Sequence, residues 1–475
     1  MRVTLLALAV AVTTVSVPTV ASAQVPMTLQ EAVSYALGHD PTVAAKFAAV
    51  TDAAHAVSVQ EGQTFPTVSG TLQNIMQKQY NYGGAYALIG LSPQANFSQN
   101  TASIGTTYNL NSGGLGLIQL ASADATLAQT REDLARSEDL VASTVTDAFF
   151  NVTENVGIVA LDHSDLGYQN ALVAAARIKA LAGVSAGVDV LRARVAQAKS
   201  ASTLVAAEAA AQNAREALAH TVGVPLSTPF AVPVVVPEPP LPHGSIDTLE
   251  SIAIAQRPDV LSARKALLAA RDTRKGWIRE LFPSLQITAG FGNQYSPTES
   301  VALQNEIDAE IISQNAERAL LSLPPLPFPV VPRGSPGFWQ IGLTSTFTLP
   351  LVDYGQRHTE RINDDAQIAA DEAALANTIS QAQVDVRQQY RAAQTAQAQL
   401  AYAQEEASLG TESARIAQLQ YRSGVIALAD VFQAQQTSVQ AQTDLVDARV
   451  AYVDAIVALR VALGIYDPRS AVADL

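Results

Sequence analysis

Two hydrophobic periods alternate along this chain. At Leu285, Ile287, Ala289 and Phe291 every second residue is apolar or small, with Ser284, Gln286, Thr288 and Gly290 between them. Trp339, Ile341, Leu343 and Phe347 repeat this against Gln340, Gly342, Thr344 and Thr348. Ile104, Thr106, Tyr108 and Leu110 do so against Ser103, Gly105, Thr107 and Asn109. A period of two predicts strands with one apolar and one small polar face. A fourth strand, Val68 to Tyr82, alternates poorly. Elsewhere the period is helical. Leu134, Val141, Val145, Phe149, Val152, Val156 and Val159 recur at threes and fours, as in a coiled-coil seam. No proline occurs from Gln94 to Val224 or from Leu351 to Asp467. Ser122 to Leu181 therefore reads as one helix, reaching roughly 90 Å at about 1.5 Å per residue. A turn follows, then a return helix to Val222; the second tract returns to Leu463.

The layout is one unit written twice. ALGHDPTV (Ala36 to Val43) is echoed by AIAQRPDV (Ala253 to Val260), and Phe65-Pro66 by Phe282-Pro283, at one constant spacing. Gly114 with Gly355, Asp124 with Asp365, Gly183 with Gly424, Asp189 with Asp430, and Gly223 with Gly464 share a second, larger spacing. The extra residues of the second copy fall in a long loop, Ser296 to Gly337, which holds a short helix around Val301 to Leu321. Each copy predicts a first helix (Leu29 to Gln63, Ile246 to Leu281), two strands joined by a loop (Asn81 to Asn100 in the first), and a long helical hairpin. The segments are residues 24–228 for the first repeat, 229–244 for a linker and 245–466 for the second repeat, with a tail at 467–475. Pro225 to Pro242 contains seven prolines, too many for a helix.

Residues 1–23 read as a secretory signal peptide: Arg2, an apolar run from Leu5 to Val20, then Ala21-Ser22-Ala23. The run is shorter than the roughly 20 residues a spanning helix needs, which is the competing reading. No later segment suits a spanning helix, so entry into a membrane would have to be as strands of a closed barrel. The chain has no cysteine, which excludes disulfides, thiol chemistry and a lipidated N-terminal cysteine. A net charge of −14 argues against nucleic acid as partner. The six histidines show no metal-ligand spacing, and neither a phosphate loop nor G-x-S-x-G is present. The sequence predicts no enzyme, no cofactor and no metal.

Four strands leave two open edges, which lipid does not tolerate, so closure requires other subunits. Two chains would make a barrel filled by side chains; three would make one wide enough for water. The small polar face suits a wet lumen. Phe338, Trp339, Tyr354, Tyr295 and Tyr108 fall near strand ends, where an aromatic girdle belongs. The competing readings are a soluble sheet packed on helices and, for the whole chain, a secreted non-conducting helical stalk or scaffold.

The duplicated GV-x4-DV tips, the Phe-Pro before the strands, and LVDYGQR (Leu351 to Arg357) carry a resemblance to TolC-like outer-membrane efflux proteins over about residues 28 to 465. That resemblance implies a mostly α fold with a membrane β-barrel. Long helical hairpins would form an α-barrel in the periplasm, and four strands per chain would share a trimeric 12-stranded barrel in the outer membrane. It implies an exit duct for efflux or type I secretion. Its partners would be two identical copies, a periplasmic adaptor, an inner-membrane pump or ABC exporter, and outer-membrane lipid. Carried over by residue, Asp430 falls at an acidic ring of the closed periplasmic end, and the second acidic position is Gln433 here. Asp189 matches a tie between hairpins and Tyr421 is retained, but a basic partner near the second tip is replaced by Ile426. Arg422, Arg192 and Arg194 are candidate substitutes. Gly183, Val184, Ser185 and Ala186 at the first tip, and Gly424, Val425, Ile426 and Ala427 at the second, form the expected adaptor-docking surface. The plain alternatives are a helix-capping aspartate at 430 and glycines that only permit the turn.

Overall fold

The computed structural model describes residues 26–80, 94–110, 114–183, 187–233, 236–242, 244–277, 284–295, 297–330, 337–346 and 355–467. The predicted leader, Val184, Ser185 and Ala186, Phe282-Pro283, the Leu351 to Tyr354 part of LVDYGQR, and the tail after Asp467 lie outside the described residues.

The elements follow in the order α1 (Leu29–His39), α2 (Pro41–Gly62), β1 (Thr67–Tyr80), β2 (Gln94–Leu110), α3 (Leu115–Leu181) and α4 (Gly187–Val222). The second copy gives α5 (Ile246–Gln256), α6 (Pro258–Gly276), β3 (Ser284–Tyr295), α7 (Pro297–Leu320), β4 (Gly337–Thr346), α8 (Gln356–Arg422) and α9 (Leu428–Leu463). The chain divides into two compact units. One comprises Met1–Lys46, Leu134–Pro258 and Ser380–Leu475; the other comprises Phe47–Asp133 and Asp259–Ile379. Each unit therefore draws on both repeats.

The first helix of each repeat corrects the sequence reading: it is two helices, broken at the proline. Asp40 and Arg257 are extended (ψ 129° and 123°), as a residue before proline must be. Asp40 then opens α2, accepting hydrogen bonds from the backbone N–H of Thr42 (2.7 Å) and Val43 (3.2 Å). The break at Arg257 turns a guanidinium inward: the residue is 3% exposed and meets Asp385 at 2.7 Å. A second correction concerns β2, which begins at Gln94, inside the segment read as loop. Gln94 to Asn100 is too polar to alternate, yet it pairs fully with Asn74 to Tyr80.

The unit Phe47–Asp133 with Asp259–Ile379 holds a four-stranded antiparallel sheet, order β1-β2-β3-β4. Register decides its faces. Ile104 lies opposite Gly70 and Phe291, Phe291 opposite Trp339, Ile287 opposite Tyr108 and Leu343, and Ala289 opposite Ile341. Directly opposed residues share a face, so one apolar surface runs across all four strands. It is uncovered. Val68, Leu72 (88% exposed), Met76, Ile104, Phe291, Trp339 (78%), Ile341 and Leu343 stand open. Removing one such side chain from water is worth about 1.5–3 kcal/mol, so the face leaves on the order of 15 kcal/mol unrealised in water. The other face carries Ser103, Thr107, Gln286, Thr288, Gln340 and Thr344.

Between β3 and β4, α7 lies against β2. Just past its end the chain turns at Ser322, whose φ is +53°, and a proline-rich segment returns along the helix. Proline has no N–H to offer, so α7 side chains shape the return. Gln304 donates to the Pro329 carbonyl (2.9 Å) and Arg318 to that of Pro324 (2.8 Å). Asn315 bonds both the N–H and the carbonyl of Leu326.

The unit containing the hairpin ends is a set of small-residue helical seams. On α8 the buried positions Ala382, Val386, Ala393, Ala396, Leu400, Ala403, Ala407, Gly410, Ala414, Ala417 and Tyr421 follow a spacing of threes and fours. A Cβ on Gly410 would lie 3.3 Å from Ser438 Cα, so α9 approaches closely there. Val145, Phe149 and Val152 of α3 pack with Val450, Val453 and Val457 of α9. The linker is tied down: the Met27 N–H bonds the Pro229 carbonyl (2.9 Å) and Tyr452 Oη donates to that of Pro239 (2.7 Å).

Candidate functional site

The two hairpin ends fall in one unit and share one apolar cluster. Leu172, Val173 and Ala176 of α3, Ala193 of α4, Tyr421 of α8, and Leu428 and Val431 of α9 pack together, with Ile426 against them. Gly183 and Gly424 have φ of +72° and +80°, the left-handed conformation that ends a helix most easily at glycine. At the second tip the Val425 N–H reaches back to the Gln420 carbonyl (2.9 Å), and the Gly424 N–H to that of Tyr421 (3.1 Å). A Cβ at either glycine would meet no described residue within 4 Å.

Asp430 is exposed three residues into α9, and its carboxylate accepts from the Ala427 N–H (3.2 Å). It thus satisfies an otherwise unpaired donor at the helix start. Gln433 is exposed one turn on. Asp189, half-buried in the first turn of α4, pairs with Arg192 at 3.6 Å on its own helix. Arg192 therefore does not bridge hairpins here.

The bridge is Lys179, which the sequence reading missed. Its Nζ donates to the Tyr421 carbonyl (2.7 Å) and stands 3.7 Å above the Tyr421 ring. One ammonium from the end of α3 thereby caps the negative end of α8 and grips its last aromatic ring. Tyr421 is 6% exposed, and its buried hydroxyl has no hydrogen-bond partner among the described residues. Burial first, then the Asp189 charge, push its phenol above the usual range. Ile426 fills the apolar cluster while the cation comes from the other hairpin. The available signal was Lys179 in the last turn of α3, a place where a base favours the helix end.

A profile of the outer membrane efflux protein family matches residues 32–224 and 249–465, both repeats nearly complete. The chain belongs to that family. As a member of the outer membrane efflux protein family it is an outer-membrane protein, with strands for the membrane barrel and helices extending into the periplasm. Solved structures of the same fold include VceC of Vibrio cholerae, 17% identical with a TM-score of 0.67, covering 92% of this chain and 96% of that one. CmeC of Campylobacter jejuni is 17% identical with a TM-score of 0.68, covering 92% and 85%. The open state of MtrE of Neisseria gonorrhoeae is 19% identical with a TM-score of 0.68, covering 92% and 88%. No curated protein sequence matches the chain.

Proposed function

We propose that three copies of this chain close a single barrel and serve as the passive exit duct of a tripartite efflux pump. The observation that carries this is the sheet. One face is apolar and open, the other small and polar, and among the described residues β1 and β4 are paired on one side only. A lone chain in lipid would leave those edge groups unsatisfied. A ring of identical sheets pairs them and turns the polar face to water. Of the pump classes left open by the sequence, the family's description favours efflux over type I secretion.

In this reading the hairpin tips form the periplasmic gate. Lys179, bonded to Tyr421, holds the two hairpins of one chain together, while Asp189 stays paired with Arg192 on its own helix. Asp430 from three chains converges on the axis, where like charges repel and cations are favoured. An adaptor tip docks on the small, open surface around Gly183 and Gly424, and an inner-membrane pump supplies the cargo. Asp430 can hold the Ala427 N–H and line the axis at once, because a carboxylate has two oxygens.

Single-channel recording in a planar bilayer tests the duct. The expected result is a small, cation-preferring current, raised and made less selective by Asp430→Ala. A water-soluble monomer that never conducts would overturn the reading in favour of a secreted stalk. Docking has its own test. Gly424→Asn keeps a residue that tolerates positive φ but adds bulk to the surface. Trimers should still form while adaptor co-purification and drug export are lost. Unchanged export in this variant would remove the tip from the docking surface.

A further inference from the structure

The unit that holds the sheet also holds a recess that the duct reading does not use. Helices α2, α3, α6 and α8 all contribute to its walls, and its volume is about 380 Å³. Small-molecule sites span roughly 300–1,000 Å³. The walls are tied to one another. Ser122 Oγ of α3 lies 3.0 Å from Thr273 Oγ1 of α6, within hydrogen-bond distance. A Cβ on Gly276 would lie 3.3 Å from Leu115 Cδ1, so the end of α6 sits against the start of α3. Arg274 with Asp365 (2.6 Å) and Arg271 with Glu372 (2.7 Å) join α6 to α8.

The lining has an apolar part and an acceptor part. Leu115, Ile118 and Trp277 supply the first. Arg274 stands over the Trp277 ring, 5.1 Å from its centroid, and is itself neutralised by Asp365, which fixes the ring in the wall. The acceptors are Gln60, Glu360 and Asp364. Gln60 Oε1 is buried and has no hydrogen-bond partner among the described residues. An oxygen taken from water and left unpaired is costly until a donor or a positive group meets it. Glu360 and Asp364 stand one helical turn apart on α8, and neither makes a hydrogen bond or an ion pair among the described residues. No lysine, arginine or histidine among the described residues lines the recess.

We propose that this recess binds a hydrophobic organic cation, its apolar body against Trp277, Leu115 and Ile118 and its charge toward Gln60, Glu360 and Asp364. Tryptophan is the side chain whose ring attracts a cation best. Carboxylates on the wall of a cleft act more strongly than on open surface, because low-dielectric walls focus their field. An anion of the same shape would meet acceptors only. A bare metal ion fits poorly: much of the lining is apolar, and no group of acids among the described residues is arranged to hold one. The site belongs to four helices of one chain and does not depend on the duct reading, since a non-conducting protein would bind the same cation.

The whole detergent-solubilised protein provides the test. The chain has two tryptophans, so Trp339→Phe leaves Trp277 as the only one and makes its fluorescence the readout. Tetraphenylphosphonium is the probe, and tetraphenylborate, of the same shape and opposite charge, is its control. The phosphonium should change Trp277 fluorescence saturably and bind at least about tenfold more tightly than the borate. Glu360→Gln with Asp364→Asn should weaken the phosphonium about tenfold and leave the borate no weaker. Ala56→Leu adds bulk to the wall without touching a charge and should weaken both ions. Equal affinity for the two ions, or a response that never saturates, as partition into detergent gives, would overturn the site. So would a double variant, or Ala56→Leu, that binds the phosphonium as the parent does.

Discussion

Gly464→Ala is expected to destabilise the protein far more than Gly223→Ala, although the two glycines end equivalent helices of the two repeats. Both sit at positive φ, +70° and +82°, and alanine in that conformation costs about 1–2 kcal/mol. A methyl group on Gly223 would meet nothing within 4 Å, so its loss should stop there. At Gly464 a Cβ would stand 2.6 Å from Arg257 Cα and 2.8 Å from Arg257 N, both backbone atoms. Backbone must then move, adding about 1–3 kcal/mol of overpacking. The displaced segment is the break between α5 and α6, which sets the buried Arg257 against Asp385. We expect about 2–5 kcal/mol for Gly464→Ala and a clearly lower Tm, read by circular dichroism beside Gly223→Ala. Equal losses would mean that the α9 end is not held against that break.

Lys179→Met should loosen the tip without unfolding it. Methionine keeps the length and apolar stem but loses the hydrogen bond to the Tyr421 carbonyl and the contact over its ring. A hydrogen bond from a charged donor is worth about 1.5–3 kcal/mol, and a half-exposed cation over a ring about 0.5–1 kcal/mol. Part of this returns when water solvates the freed carbonyl. A net change of about 1.5–2.5 kcal/mol corresponds to roughly a ten- to sixtyfold shift toward the released tip. Planar-bilayer recording should show that as a higher open probability with an unchanged Tm. Lys179→Arg, which retains both the charge and the ring contact, should restore most of the closed behaviour. If Met and Arg behave alike, the ammonium is not what holds the two hairpins.

The contrast between these residues explains what was legible in the chain. Period and proline content determine the long helices, so α4 and α9 end at the predicted Val222 and Leu463. Alternation identified β3 and β4 because one of their faces is apolar. It failed at the start of β2, where Gln94 to Asn100 offers no apolar face and only pairing with β1 reveals a strand. The breaks before Pro41 and Pro258 were readable in principle, but strong helical composition on both sides masked them. Lys179 was not readable as a partner of Tyr421. The two come from different repeats, and no local pattern says that their hairpins pack together. Asp430 shows the converse: local sequence suggests a cap, the structure shows one, and only the family resemblance adds a ring.

The module between β3 and β4 has an evolutionary consequence. The hydrogen bonds that shape it run from Gln304, Asn315 and Arg318 to main-chain atoms of Pro324, Leu326 and Pro329, not to the register of the strands on either side. Its exposed positions, among them Leu320, Leu321, Phe328 and Val330, can drift between lineages at little cost to the strands. Insertions and deletions there would leave the pairing of β3 with β4 as it is.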